Sequence, residues 1–250
     1  MVKDMVNEIT TYMQIASYKI IPQAGEVKGI YCLQEKDGRV DIDVYASQRA
    51  LIMNPPNHVK DYYSTWHEDD PLTGEPLFIS FSNTNDCYYI FTTEQGLRVS
   101  PSEMIIMENW NEMFYNPPVY NPQAFVNTNG CDFLINDNKL HVLYASESRD
   151  RKFPAYIPGD YELAPFLATH TIADYAAVEG AINAYQIVYD TKNSGFRSYY
   201  NRGIGLSQFQ EPTSEAVFNV NEIEGELIYT ATTNGGETMF ITKNKMENIM

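Results

Sequence analysis

A chain of 250 residues, 44% hydrophobic and 20% charged, has the make-up of an ordinary globular protein and fits one substantial domain spanning residues 1–250. With 17 Lys and Arg against 33 Asp and Glu, its formal net charge of −16 argues against nucleic acid and anionic membrane surfaces as partners, because both are held through Lys and Arg. No stretch approaches the roughly 20 apolar residues of a membrane span, so no transmembrane segment is expected.

The aromatic usage, 19 Tyr and 12 Phe against 2 Trp, suits strands whose rings are buried and whose hydroxyls stay wet. Asp4 and Glu8 stand where a secretory signal needs a basic start and an uninterrupted apolar run, so no targeting signal is expected there. Residues 1–24 are read as an N-terminal strand segment of unassigned role.

The first secure element is a hairpin. Gly29 to Leu33 is an apolar run, Lys36-Asp37-Gly38 supplies the positive φ angles of a tight turn, and Arg39 to Tyr45 alternates with a period of two. Val40, Ile42 and Val44 are expected to face a core, and the charged residues between them to face the other way. Pro-rich stretches follow at Asn54-Pro55-Pro56-Asn57 and Asn116-Pro117-Pro118, where X-Pro steps disfavour helix.

The hairpin pattern returns four times. The second copy runs from Leu77 to Phe81 through Asn83-Thr84-Asn85-Asp86 to Cys87–Phe91, and the third from Phe133–Ile135 through Asn136-Asp137-Asn138 to Leu140–Tyr144. The fourth runs from Tyr185–Tyr189 through Lys192-Asn193-Ser194-Gly195 to Phe196–Tyr200, and the fifth from Leu227–Thr230 through Thr233-Asn234-Gly235-Gly236 to Met239–Ile241. Short helices are expected only at Ser102–Met113 and Ile172–Ile182. The turn centres recur at roughly 40 to 57 residues, overlapping the repeat length of propeller blades. The predicted fold is therefore all-β: a β-propeller of about five hairpin-based blades, complete or part of a larger ring, with a β-sandwich as the alternative.

Enzyme signatures are missing: there is no G-x-S-x-G, H-E-x-x-H, P-loop or G-x-G-x-x-G, and His58, His67, His141 and His170 lack ligand-like spacing. No catalytic residue, metal site or cofactor is assigned. The run His67-Glu68-Asp69-Asp70 has oxygen ligands for calcium, but a solvated loop explains it more simply. Cys32, Cys87 and Cys131 are odd in number and widely spaced, which fits buried packing residues better than disulfides or zinc. Among the acids, Asp86, Asp160 and Glu162 are candidates for a glycosidase pair on a five-bladed propeller, with nothing in the spacing to unite them.

Loop aromatics are the strongest candidates for ligand contact: Tyr62, Tyr63 and Trp66 in one polar loop, Trp110, Phe114, Tyr115 and Tyr120 around a Pro-rich one, and Tyr156 and Tyr161 near Pro158-Gly159. Such rings stack on sugars or grip peptide side chains, and the competing reading packs them between sheets.

Five segments, NEMFYNPPVYNPQAF (111–125), DFLINDNKLHVLYAS (132–146), FPAYIPGDYELAPF (153–166), YQIVYDTKNSGFRSYY (185–200) and GELIYTATTNGGETMFIT (225–242), together resemble the PKD-like lipoprotein family of Bacteroidetes. The resemblance covers the chain from about Gly25 onward. It implies a cell-surface or periplasmic protein with a propeller-like region, associated with outer-membrane nutrient uptake of the SusC/SusD type, and it carries no catalytic residues. The signal, lipid-bearing cysteine and immunoglobulin-like domains of that family are not expected in this chain. The implied function is a non-catalytic binding module for a glycan or peptide, with a secreted carbohydrate-active hydrolase and a structural scaffold as the competing readings.

Overall fold

The computed structural model describes residues 2–3, 10–11, 29–46, 58–128, 130–144, 150–167, 185–200, 202–214, 218–223, 225–232 and 238–243. Two short strands, β1 (Val2–Lys3) and β2 (Thr10–Thr11), pair with each other. Five antiparallel sheets follow in chain order and are numbered I to V here. Sheet I contains β3 (Gly29–Lys36), β4 (Arg39–Ala46) and β5 (His58–Val59). Sheet II contains β6 (Pro76–Ser82), β7 (Cys87–Thr92), β8 (Gly96–Val99) and β9 (Ile106–Asn109). Sheet III contains β10 (Pro122–Thr128), β11 (Cys131–Asn136) and β12 (Lys139–Tyr144). Sheet IV contains β13 (Tyr185–Asp190), β14 (Gly195–Tyr200) and β15 (Ser207–Gln208), and sheet V contains β16 (Glu226–Thr232) and β17 (Thr238–Lys243). Among the described residues one helix, α1 (Tyr62–Trp66), lies between sheets I and II in the chain. Among the described residues no helix is long and apolar enough to cross a membrane.

The chain is thus all-β. All five expected hairpins form, as β3/β4, β6/β7, β11/β12, β13/β14 and β16/β17. Their turns explain why. Asp37 and Gly38 take φ of 55° and 77°, and Asp137 and Asn138 take 49° and 58°, so both central residues of each two-residue turn are left-handed, as a type I′ hairpin requires. The turn centred on Asn234 lies outside the described residues.

Each of four buried clusters is shared by two consecutive sheets. Val40, Ile42 and Val44 of sheet I meet Ile90, Leu97 and Val99 of sheet II. Tyr89 and Phe91 on the opposite face of β7 meet Leu134 and Leu143 of sheet III. Phe133, Ile135 and Val142 then meet Val188 and Tyr199 of sheet IV, and Tyr189 and Phe196 meet Leu227 of sheet V. A strand such as β11 is consequently buried at every position, because period-two alternation sends its side chains into two different cores. First strands are neighbours along the series, β3 beside β6 and β6 beside β10.

Four expectations need correction or qualification. Asp41 and Asp43 do face away from Val40, Ile42 and Val44, but they are buried, at 3% and 4% exposure. Asp41 accepts from the backbone N–H groups of Tyr63 and Ser64 in the first turn of α1, and Asp43 accepts from the Asp61 N–H and bonds the His58 ring. The Ser102–Met113 segment is not a helix. Ile106–Asn109 pairs with β8, and the Ser100 N–H donates to the Ile105 carbonyl at 2.9 Å to close the connecting turn. A strand ladder that satisfies this backbone outweighs the helix propensity of its Glu and Met residues. Tyr62–Trp66, expected in a loop, is helical, and the Ile172–Ile182 segment lies outside the described residues.

Candidate functional site

A cleft of about 400 Å³ lies between the segment that links sheets III and IV and sheet IV itself, lined by Pro158–Tyr161, Asp190, Asn193, Arg197, Gly205, Leu206 and Gln208. Its construction begins with the segment linking the two sheets. The Leu163 N–H donates to the Asn138 carbonyl in the β11/β12 turn, while the Ala164 N–H donates to the Tyr189 carbonyl and the Thr191 N–H to the Glu162 carbonyl. The linker is therefore pinned to sheet III on one side and sheet IV on the other. Tyr161 is its anchor: the ring is buried in the III/IV core, the hydroxyl donates to the Ile157 carbonyl, and Lys139 lies over the ring at 4.6 Å while donating to the Tyr161 carbonyl. Burial pushes the Tyr161 phenol up to about 12.

The other wall is the β13/β14 turn. Asp190 ends β13 and is buried; its Oδ1 accepts from the N–H groups of Glu162, Lys192 and Asn193, and its Oδ2 accepts from the Asn193 amide at 2.6 Å. A carboxylate engaged by its own turn in this way fixes the turn's shape. On the rim, Lys192 donates to exposed Asp160, which holds the Asp160 carboxyl below its ordinary value and raises Lys192. Arg197 on β14 forms part of the lining, with Nε 3.7 Å from Asp190 and Nη1 donating to the Phe196 carbonyl at 2.9 Å. Gln208 sits directly across from it in the β14/β15 register. The cleft thus offers amide and guanidinium donors, carbonyl and carboxylate acceptors, and two locally neutralised charge pairs.

A second polar concentration, at the II/III seam, is closed. Asp132 is fully buried and accepts from Ser82, Asn85, Tyr89 and Asn127. Burial raises its carboxyl above the usual range, and these four donors only partly offset that. Arg98, also fully buried, donates to Tyr89 and to the Arg151 carbonyl and pairs with Glu108, whose carboxyl burial raises against the pull of Arg98. Cys87 in the same core has its thiol pushed up to about 12 by burial, which leaves it a packing residue.

The aromatic candidates do not form one surface. Tyr62 and Tyr63 are buried in the I/II core with Trp66 packed against it, and Trp110 is buried in the II/III core, where its indole donates to the Pro118 carbonyl. Tyr120 packs edge-on against Trp110 and bonds the Thr92 carbonyl. Tyr161 contributes to the cleft from within the III/IV core. Tyr115 and Tyr156 are exposed, at 53% and 48%, and flank the bridge between Phe114 and Phe153.

Glu68, Asp86, Asp160 and Glu162 are all exposed. His67 stacks on Tyr63 and bonds the Met104 carbonyl. Among the described residues no group of three or more His, Cys, Asp or Glu is placed to hold a metal ion. The cysteines form no disulfide.

The residues that shape the cleft beyond Tyr161, namely Asp190, Asn193, Arg197 and Gln208, were not singled out from the sequence. One signal was present: Arg197 interrupts the apolar strand Phe196–Tyr200 on the same face as Tyr199, a charge where alternation predicts core. Comparison with family models and with curated proteins finds no match to this chain.

Proposed function

We propose that this protein is a non-catalytic binding module of a cell-surface or periplasmic nutrient-uptake system of the SusC/SusD type, with the cleft between the 158–161 segment and sheet IV as its ligand site. The observation that carries the reading is the cleft itself: about 400 Å³ of open space lined by Asp190, Asn193, Arg197 and Gln208 on a frame held by two sheets. Convergent polar groups on a rigid scaffold favour a ligand rich in hydrogen-bonding groups, a glycan ahead of a peptide. The location and the uptake role rest on the resemblance to PKD-like lipoproteins of Bacteroidetes.

A propeller-like arrangement is part of the same proposal. Five consecutive meandering sheets, each sharing a core with the next, and first strands that neighbour one another in sheets I to III support reading the sheets as blades, complete as a ring or as part of a larger one.

A glycan and peptide array tests the function directly. The expected result is retention of one glycan class by the intact chain and its loss in Gly205→Leu, a substitution that fills the cleft. Among the described residues a Cβ at Gly205 meets only the Pro158 carbonyl, at 3.5 Å, an ordinary contact, so the backbone there accepts a side chain. Binding that survives Gly205→Leu, or an array without a response, would overturn the assignment.

A further inference from the structure

The Arg197 side chain is only 8% exposed and what remains open is toward the cleft it lines, where its five N–H donors can serve a ligand's acceptors. Among the described residues one hydrogen bond uses them, from Nη1 to the Phe196 carbonyl. Asp190 is the adjacent countercharge, but its oxygens are occupied by Glu162, Lys192 and Asn193, and the turn holds it 3.7 Å from Nε, beyond hydrogen-bond length. Asp190 therefore balances charge without filling the planar fork. The other acid at the rim, Asp160, is paired with Lys192.

We propose that Arg197 is the anchor for a carboxylate, and that the ligand of this cleft is an acidic sugar of the uronic acid class. Resting on the binding-module reading above, this names the ligand of the same site. A carboxylate matches the spare edge of a guanidinium with two parallel hydrogen bonds, which a hydroxyl cannot do. The remaining lining suits a sugar ring: Asn193 and Gln208 supply amide groups, Gly159 supplies backbone, and Pro158, Tyr161 and Leu206 supply apolar surface. A peptide C-terminus carries the same carboxylate, but two side-chain amides beside the guanidinium match the several hydroxyls of a sugar ring better than the sparser polar groups of a peptide end.

The test titrates the intact 15N-labelled chain with four probes: galacturonic acid, galactose, N-acetylglycylglycine and the amide of that dipeptide. The side-chain resonances of Asn193, Gln208 and Arg197 report binding at the cleft. The expected result is that galacturonic acid binds at least about ten-fold more tightly than galactose, a gap of about 1.4 kcal/mol, and more tightly than either dipeptide. The preference should vanish in Arg197→Lys, which keeps the charge and loses the fork. Because the comparison between acid and neutral probe is made on the unsubstituted chain, it stands even if Arg197→Lys fails to fold. Equal binding of galacturonic acid and galactose would overturn the carboxylate anchor while leaving the cleft a binding site. Preference for the dipeptide acid over its amide, with no response to galacturonic acid, would overturn the sugar assignment. Unperturbed Asn193 and Gln208 resonances with every probe would remove the binding site and this proposal together.

Discussion

The hydroxyl of Tyr89 donates to the Asp132 carboxylate at 3.0 Å across the seam between sheets II and III. The same oxygen accepts from the Arg98 guanidinium at 2.8 Å. A phenol thus joins a buried anion to a buried cation that pairs directly with a different acid, Glu108. Tyr89→Phe removes the joint and keeps the ring, so Asp132 retains three donors and Arg98 retains Glu108 and the Arg151 carbonyl. The expected loss of stability is about 1–3 kcal/mol in urea unfolding, and a change below about 0.5 kcal/mol would show that the bridge contributes nothing.

His141 should make the fold acid-sensitive. Burial lowers its pKa from the ordinary value of 6.5 against the opposing pull of the Pro154 carbonyl, which accepts from Nδ1 at 3.2 Å. The unfolded chain then takes up a proton at a pH where the folded chain does not. Stability accordingly falls as pH drops through 6.5 and levels off below the depressed folded value. Urea midpoints measured at about pH 7.5 and about pH 5.5, either side of the free imidazole value, should converge in His141→Gln relative to the parent chain. An unchanged difference would assign the acid sensitivity elsewhere.

Asp43 acts in the opposite range. Burial alone would raise its carboxyl, but donation from the Asp61 N–H and the contact with His58 outweigh that and hold it below its ordinary value of 3.8. Its stabilisation is complete above 3.8 and is lost as pH falls through the lower folded value. Asp43→Asn should therefore weaken the fold at neutral pH and flatten its unfolding profile in strong acid; a parallel profile would contradict the assignment.

Trp110 and Tyr115 are five residues apart and should respond very differently. Trp110 packs against Phe91, Phe114 and Tyr120 in the II/III core, and Trp110→Ala should cost about 3–5 kcal/mol in chemical denaturation. Tyr115 is exposed, and Tyr115→Ala should change stability by less than about 0.5 kcal/mol. Similar costs at the two positions would mean that the core is drawn in the wrong place.

Gly195 is required by a close approach. A Cβ there would run into the backbone of Asn221, whose carbonyl carbon would be 2.7 Å away. The 219–223 loop is held against the β13/β14 turn by the Phe196 N–H to the Val220 carbonyl and the Ile223 N–H to the Ser194 carbonyl. Gly195→Ala should cost about 1–3 kcal/mol in thermal or urea unfolding, and a neutral result would show that the loop can move aside.

The hairpins were legible because tight turns leave a local record, a residue pair such as Asp37-Gly38 between alternating runs. The β10/β11 link carries such a pair too, Asn129-Gly130, with Gly130 at φ 80°; the expected third hairpin is therefore the second of sheet III, where elsewhere it is the first. The uneven turn spacing follows in part from that slip. Burial of Asp41, Asp132 and Arg98 was hidden for another reason. Alternation sorts side chains to two faces, and a charge on the far face implies water only if nothing covers that face. Here another sheet or α1 covers it, and the Asp41 and Asp132 carboxylates are satisfied by partners distant in sequence. The cleft was hidden likewise, since Asp190 and Arg197 converge with Tyr161 only when sheet IV docks on sheet III.

Because each core belongs to two consecutive sheets, the molecule behaves as a one-dimensional lattice in which a sheet is stabilised by its nearest neighbours. Sheet III has a neighbour on both sides, so amides of β11 should exchange with solvent through the largest opening, while protection declines toward sheet V, whose outer residues Tyr229, Met239 and Ile241 are exposed. The ligand cleft lies on this gradient, one sheet in from its weaker end. Occupancy of the cleft should therefore slow exchange in sheets IV and V more than in sheets I and II, giving ligand binding a signature that spreads in one direction along the chain.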